Sequence, residues 1–243
     1  MACLHYQTAD EAFHDLLRQS LHFPVASPRG QTCYEQLGLQ IVIEDIEDPS
    51  ITWYGIPERQ AIYEKYREAE KEWYLSGNLK ADSAPSKFWL KLADREGNIT
   101  SNYGHMILHD RRIDNGASKI PPFSYAMQTL SRDRDSRQAI IHYGDPKHFW
   151  EGNLDRPCTV CQQFFIRNNR LYSLVTMRSN DVWLGFPYDV AWFAYIQKEM
   201  RNGLSGLYPG LELGQYIHQV GSFHLYERNL PDARKELEGW QTN

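Results

Sequence analysis

Two strand-like runs, Cys161 to Arg167 and Leu171 to Arg178, flank Asn168-Asn169. Asparagine tolerates the left-handed backbone that a two-residue turn demands, so this stretch predicts a long antiparallel hairpin. Other strands must come from distant parts of the chain. Leu37, Leu39, Ile41 and Ile43 alternate with polar or small residues, Ala139 to Tyr143 is strand-like, and Tyr216 to Tyr226 reads as a last strand with Gly221 as a bulge. Helical signals fall between them. Thr8-Ala-Asp-Glu11 forms a capping box ahead of Phe13, Leu16, Leu17 and Leu21. Pro57 opens a second helix that Gly77 would end, and further helices are expected near Ser86 to Ala93, from Pro122 to about Ser131, and from Pro187 to about Arg201. Helices and non-local strands interleave without a βα repeat, which predicts an α+β fold: a mixed β-sheet with surrounding helices. No repeat, low-complexity tract or flexible linker interrupts the chain, so residues 1–243 read as a single domain.

With 42% hydrophobic and 23% charged residues, the chain has enough apolar surface for a core and too little bias for disorder or collagen. The longest apolar run, Val190 to Ile196, is far short of the roughly 20 residues that span a bilayer. The N-terminus lacks a basic segment followed by an apolar one, so no secretory signal is expected. Four cysteines are ordinary intracellular usage, and a net charge of −5 argues against a general nucleic-acid binder. The expectation is a cytoplasmic protein with no membrane and no direct nucleic-acid partner. A small anionic ligand stays open, because a few arginines make a local positive pocket.

Three groups of residues invite chemistry. Cys158-Thr-Val-Cys161 resembles a zinc or dithiol motif, but no second CxxC exists and His105 and His109 lack the glutamate of a zinc-protease helix. One nucleophilic cysteine and no metal is the better expectation, with a zinc or redox module as the different-class alternative. Glu70 has Tyr66 four residues before it and Trp73 three after, on the inward stripe of the second helix. It is either a rim carboxylate that reaches to water or a buried acid with a raised pKa, suited to proton transfer. In the run from Met177 to Asp189, Arg178 and Ser179 suit a phosphate. Asp189 suits either a base edge or a helix N-terminus.

Read together, Pro157-Cys158, Gln163-Phe164, Arg178-Ser179-x-Asp181-x-x-Leu-Gly-x-Pro187 and His224-x-Tyr226 resemble the thymidylate synthase superfamily in order and spacing. Glu70-x-x-Trp73 and Tyr103-Gly104 fit as well, and the resemblance spans about Arg29 to Tyr226. The strings Ser101-Asn-Tyr-Gly104, Met177-Arg-Ser-Asn-Asp181 and Val220-Gly-Ser-x-His224-x-Tyr226 look closest to the phage-type deoxycytidylate (dCMP) hydroxymethylases. Thr159 follows the cysteine where thymidylate synthases usually have His. Asp189 stands where they have the Asn that reads uracil.

This resemblance implies the following chemistry. Cys158 adds to C6 of dCMP and makes C5 nucleophilic towards the methylene carbon of 5,10-methylenetetrahydrofolate. Glu70, with Tyr103 and water, moves the protons, and Asp189 reads the cytosine. Loss of tetrahydrofolate leaves an exocyclic methylene, which water converts to hydroxymethyl; hydride from the folate would instead give methyl. Arg178 and Ser179 hold the phosphate, Arg29 lies in the N-terminal phosphate loop, and Arg137 reaches across a homodimer interface, with Gln138 where the family has a second arginine. His224 and Tyr226 hold the sugar hydroxyl, Gln163 lies beside the nucleotide, and Asp181 and Trp89 match folate-side positions. The 17 residues after Tyr226 make a shorter tail than in ordinary thymidylate synthases, compatible with water access. A deoxycytidylate methyltransferase and a CMP hydroxymethylase stay open, and a phage-encoded protein would work in the host cytoplasm.

Overall fold

The computed structural model describes residues 2–242. Nine strands appear in chain order: β1 (Ala2–Tyr6), β2 (Val25–Ala26), β3 (Cys33–Ile43), β4 (Ile113–Asp114), β5 (Lys119–Ile120), β6 (Ile140–His142), β7 (Thr159–Arg167), β8 (Arg170–Asp181) and β9 (Glu212–Tyr226). Five α-helices accompany them: α1 (Ala9–Ser20), α2 (Pro57–Ser76), α3 (Pro122–Arg132), α4 (Phe186–Leu204) and α5 (Leu230–Gln241). The main sheet runs β1-β3-β9-β8-β7-β6, with β2 beside β3, while β4 and β5 form a separate pair. The β1/β3 and β8/β9 pairs are parallel and the other pairings are antiparallel, so the sheet is mixed.

The β7–β8 hairpin forms as the Asn-Asn pair predicts. Asn168 and Asn169 take φ of 49° and 59°, the left-handed pair of a two-residue turn. Along these strands one face is closed: Gln162, Phe164 and Ile166 on β7, Val175 and Met177 on β8, and Tyr216, His218 and Val220 on β9 are all buried. The alternate residues Phe165, Tyr172, Leu174 and Ile217 stay only half-buried. Buried polar side chains pin α4 to the closed face. Gln162 Nε2 donates to the Phe193 carbonyl at 3.0 Å, and Gln197 Nε2 donates to the Leu171 and Gly214 carbonyls at 2.8 and 3.1 Å.

Helix boundaries follow local chemistry. Thr8 caps α1 by accepting from the Glu11 amide, while Glu11 reaches one residue further back than a capping box requires and takes the Gln7 amide. Helix α2 starts at Pro57 and stops at Gly77, which is left-handed at φ 64°. Three expectations need correction. The Ser86–Ala93 helix is only a 3₁₀ turn over Trp89–Lys91, because none of its residues is fully buried and only Trp89 and Ala93 lean on the core. Gly221 makes no bulge, since the β3 and β8 pairings keep register on both sides of it. The residues after Tyr226 are more than a tail, because they build α5.

Helix α5 closes the core through Glu236, which is fully buried. Its carboxylate accepts the backbone amides of Tyr54, Gly55 and Ile56 at 2.7, 3.1 and 3.2 Å, and His14 Nε2 lies 3.2 Å from it. This one side chain thus holds the entry to α2 and the face of α1. Replacing Glu236 with Ala leaves buried donors unpaired and should lower stability by about 3–5 kcal/mol, read from the urea midpoint. A loss below about 1 kcal/mol would show that water replaces the carboxylate.

Candidate active site

Cys158 sits in the loop entering β7, and three anchors fix that loop. Arg178, near the end of the neighbouring strand, donates from Nε to the Pro157 carbonyl and from Nη2 to the Arg156 carbonyl, both at 3.0 Å. Its own backbone amide donates to the Cys158 carbonyl at 2.8 Å. Asp155, buried, accepts the amides of Thr100 and Ser101 at 2.6 and 2.8 Å and the Ser101 hydroxyl. The Ser101–Gly104 string is therefore a joint between the cysteine loop and the end of α2. Asn102 Nδ2 donates to the Trp73 and Asn78 carbonyls at 3.1 Å. A Cβ at Gly104 would lie 1.8 Å from the Tyr74 carbonyl oxygen, so only glycine fits there. The joint brings the Tyr103 hydroxyl to the Thr159 amide, from which it accepts at 3.4 Å. His105 and His109 are engaged elsewhere, on the carbonyls of Gly77 and Leu75 at the end of α2.

A cavity of about 630 Å³ opens beside this loop, and Arg29, Arg156, Arg178, Ser179, His224 and Tyr226 all line it. Arg29 is carried on a tight turn over Pro28–Gly30 with φ 54°. Arg178 keeps Nη1 unpartnered among the described residues, so the side chain that clamps the loop still has a donor for a ligand. Glu35 is the one carboxylate of the lining, and it accepts the Ser222 hydroxyl. Three guanidinium groups against one carboxylate make the cavity suited to an anion.

A second cavity, of about 220 Å³, is lined by Glu70, Tyr74, Tyr188 and Trp192, with Arg67, Lys71 and Lys198 offset by Glu47, Asp48 and Glu68. Glu70 is buried there and accepts the Tyr66 hydroxyl at 3.1 Å. Trp89 Nε1 donates to the same Tyr66 oxygen at 3.4 Å, and its ring lies 5.4 Å from that of Trp73. Burial, with repulsion from Asp189, pushes the Glu70 carboxyl up to about 8, although the Tyr66 bond opposes the shift. Asp189, in the first turn of α4, is pushed up to about 7, mainly by burial and against a 2.7 Å hydrogen bond donated by Asn180 Nδ2. Burial also raises the Cys158 thiol; Arg178 and Arg29 oppose that shift, and Asp189 and Asp155 add to it. A thiol and two carboxyls that titrate near neutrality are an inventory for nucleophilic attack with proton transfer.

The structure gathers most of the residues singled out by sequence. Arg29, Arg178, Ser179, His224 and Tyr226 share the larger cavity, and Glu70 and Trp89 share Tyr66. Asp181 spends its carboxylate on the turn that starts α4, accepting the Trp183 and Leu184 amides at 2.8 and 3.3 Å. Gln163 and Arg137 do not join either cavity. Gln163 points to the half-buried side of β7 and donates to the Arg137 carbonyl at 2.8 Å, while the Arg137 side chain is exposed. Cys161 lies on that same side and is a free thiol, as is Cys158. Asn180, Asp155 and Arg156 were given no role by the sequence reading. Only Asn180 carried a signal, its place inside the Met177–Asp181 string.

Comparison with known proteins bears on this arrangement. A family model described as thymidylate synthase matches residues 57–242. The chain belongs to the thymidylate synthase family. Its curated relatives include the deoxycytidylate 5-hydroxymethyltransferases of Enterobacteria phages T6 and T4, 33% and 34% identical over 178 residues, which cover 70% of this chain and 70% of each relative. Among solved structures, thermostable thymidylate synthase A from Bacillus subtilis superposes with a TM-score of 0.69 at 19% identity, covering 94% of this chain and 84% of that one. The 94% coverage carries the fold likeness into residues ahead of the family match. No helix of the described residues is long and apolar enough to cross a membrane.

The two raised carboxyls of this thymidylate synthase family member leave a mark on its stability. Glu70 loses its proton near 4.5 when exposed and near 8 when folded, and Asp189 near 3.8 and near 7. The folded state therefore holds more protons, so their contribution is complete below pH 3.8 and is lost as pH rises through 7 and 8. Between pH 6 and 9 the wild-type Tm should fall by about 5–10 °C more than that of a Glu70→Gln, Asp189→Asn double variant. Parallel Tm profiles for the two proteins would contradict the buried, protonated assignment.

Proposed function

We propose that this chain is a deoxycytidylate 5-hydroxymethyltransferase and that residues 1–243 act as one catalytic domain. The observation that carries the reading is Asp189: a half-buried residue whose carboxyl, desolvated and held by the Asn180 amide, is pushed up to about 7 and lies close enough to Cys158 to raise its thiol. Cytosine offers an amino donor beside a bare N3. A carboxyl accepts from the first and, once protonated, donates to the second. The names of the phage relatives support the same substrate.

On this reading the nucleotide phosphate lies against Arg178, Ser179 and Arg29, and the sugar hydroxyl meets His224 and Tyr226. The Cys158 sulfur bonds to C6 as the C5–C6 double bond opens, and the displaced electron pair reaches N3, where Asp189 delivers a proton. That proton transfer neutralises the charge pushed onto N3 and leaves it on the Asp189 carboxylate, so attack and protonation assist each other. The co-substrate, 5,10-methylenetetrahydrofolate, supplies a one-carbon unit at the oxidation level of formaldehyde. The smaller cavity borders Glu70 with Tyr74, Tyr188 and Trp192, aromatic side chains that suit a flat ring. Trp89 borders this side through Tyr66, and Asp181 shapes the turn that carries α4 past it. Glu70 holds a proton at neutral pH and is placed, with Tyr103, to trade protons with C5 and with water. C5 bonds to the methylene carbon of the co-substrate, and loss of the C5 proton expels tetrahydrofolate as the carbon–nitrogen bond breaks. Water adds to the resulting exocyclic methylene carbon and β-elimination of Cys158 frees the product. The reaction ends with the C5 hydrogen replaced by CH2OH.

The partly open sheet face supports a homodimer. Phe165, Tyr172, Leu174 and Ile217 offer it a row of half-buried apolar side chains, and Gln163 ties the Arg137 backbone to the same side. A second copy packed there gives the exposed Arg137 a route to the partner's phosphate site.

Incubation with deoxycytidylate and methylenetetrahydrofolate, followed by mass spectrometry, should show a nucleotide heavier by one CH2O. A gain of one CH2 would make the protein a methyltransferase, and a preference for the ribonucleotide would reassign the sugar. Cys158→Ser should lose turnover by about 10³-fold or more while Cys161→Ser keeps most of it. Mixing inactive Cys158→Ala and Arg137→Ala chains should restore part of the activity, since one hybrid site then has both residues. A monomer in sedimentation, or no rescue after demonstrated subunit exchange, would sink the shared site.

A further inference from the structure

Behind Asp189 lies a file of buried polar groups that the reaction as written does not use. Tyr216 Oη is 2.7 Å from His218 Nδ1, His218 Nε2 is 3.1 Å from Asn180 Oδ1, and Asn180 Nδ2 is 2.7 Å from Asp189 Oδ2. Tyr216 and His218 are wholly inaccessible and Asn180 nearly so, so water does not substitute for any of these contacts. The three residues come from two neighbouring parallel strands, with Tyr216 and His218 successive on the closed face of β9 and Asn180 near the end of β8. A Cβ at Gly185 would lie 2.7 Å from Asn180 Nδ2 and 3.2 Å from Asp189 Oδ2, so glycine leaves the room this amide–carboxyl contact occupies.

The polarity of the file is determined from one end. An ionised Asp189 only accepts, so Asn180 must present its NH2 group and turn its oxygen to His218. That oxygen only accepts, so His218 carries its proton on Nε2 and accepts the Tyr216 hydroxyl at Nδ1. Burial pushes His218 down to about 3, so it stays neutral and keeps this arrangement across the working pH range.

We propose that the Tyr216–His218–Asn180 file determines base specificity by reserving Asp189 Oδ2 as an acceptor and confining the Asp189 proton to Oδ1. With Oδ1 opposite the ring nitrogen, a protonated Asp189 donates to bare N3, and Oδ2 accepts the cytosine amino group beside the Asn180 amide. Uracil needs the reverse pattern, an acceptor opposite N3–H and a donor opposite O4. A proton on Oδ2 would supply that donor, and the Asn180 N–H occupies the place where it would sit. His218 and Tyr216 are positioning residues: they touch no substrate and act by keeping the Asn180 amide from flipping. The inference rests on the proposed role of Asp189 as base reader.

The test is the ratio of kcat/KM for deoxycytidylate to that for deoxyuridylate, measured by tritium release from C5-labelled nucleotides in the full-length protein with methylenetetrahydrofolate. His218→Phe keeps an aromatic ring but removes both nitrogens, and should lower the ratio by about 10-fold. His218→Gln, whose amide can still donate to Asn180, should recover most of that loss. A purely structural role would slow both nucleotides alike and leave the ratio where it was, which would overturn the proposal. Tyr216→Phe removes only the hydroxyl at the far end and should lower the ratio by about 3-fold; it decides the matter if His218→Phe does not fold, an unchanged ratio counting against the file. Asp189→Asn separates the two levels. If it leaves the ratio unchanged, Asp189 is no base reader and the whole reading fails. If it shifts the ratio while a folded His218→Phe does not, the file alone is refuted.

Discussion

The register of the β7–β8 hairpin is the constraint on which the site depends. Thr159 pairs with Met177, and the next rung lets the Arg178 amide bind the Cys158 carbonyl. A slip of one residue would turn every side chain of β8 to the other face and carry the Arg178 guanidinium away from the Pro157 and Arg156 carbonyls. Cys158 and its neighbouring cation are therefore placed by the left-handed asparagine pair at the far end of the strands together with a one-residue register shift between Thr159 and Cys161. Strand β9, parallel to β8, extends the same logic by setting Ser222 beside Ser179 and His224 beside Asp181.

Upon that frame the site gathers ionisable groups that burial makes unfavourable in their charged forms. Glu70 and Asp189 repel each other as well, and among the described residues neither has a cation within hydrogen-bond reach. Their contacts are hydrogen bonds from a tyrosine and an amide, which orient the carboxyls without fully stabilising the charge. The arginines are kept instead in the adjoining larger cavity, beside Cys158. Stability is given up for pKa values near neutrality, as acid–base chemistry requires.

Much of this was legible beforehand because it is local. The Asn-Asn turn, the Thr8 cap, Pro57 and Gly77 at the ends of α2, and the spacing from Tyr66 through Glu70 to Trp73 each depend on residues a few positions apart. The Arg178-Ser179 pair was legible too, as part of a string whose order and spacing resemble a known family. What stayed hidden is non-local. Strand β1 gains its status only from parallel pairing with β3, and the final helix only from Glu236 meeting amides some 180 residues away. Gln163 looked like a neighbour of the nucleotide, yet the strand's alternation turns it to the half-buried side.

By itself the sequence determined the α+β class, the hairpin, the family resemblance and the chemical types at the site: a thiol, two carboxyls, a set of arginines. These follow from short-range backbone preferences and from motifs contiguous in the chain. Only the tertiary structure decided what those groups are like. It buried Glu70, half-buried Asp189 and set the two near one another, which raises both carboxyls, and it made Arg178 a clamp with a donor to spare. It also lined up Tyr216, His218 and Asn180 behind Asp189. Burial and hydrogen-bond partners are properties of residues brought together from distant parts of the chain, and they set protonation and polarity, which residue identity alone leaves open.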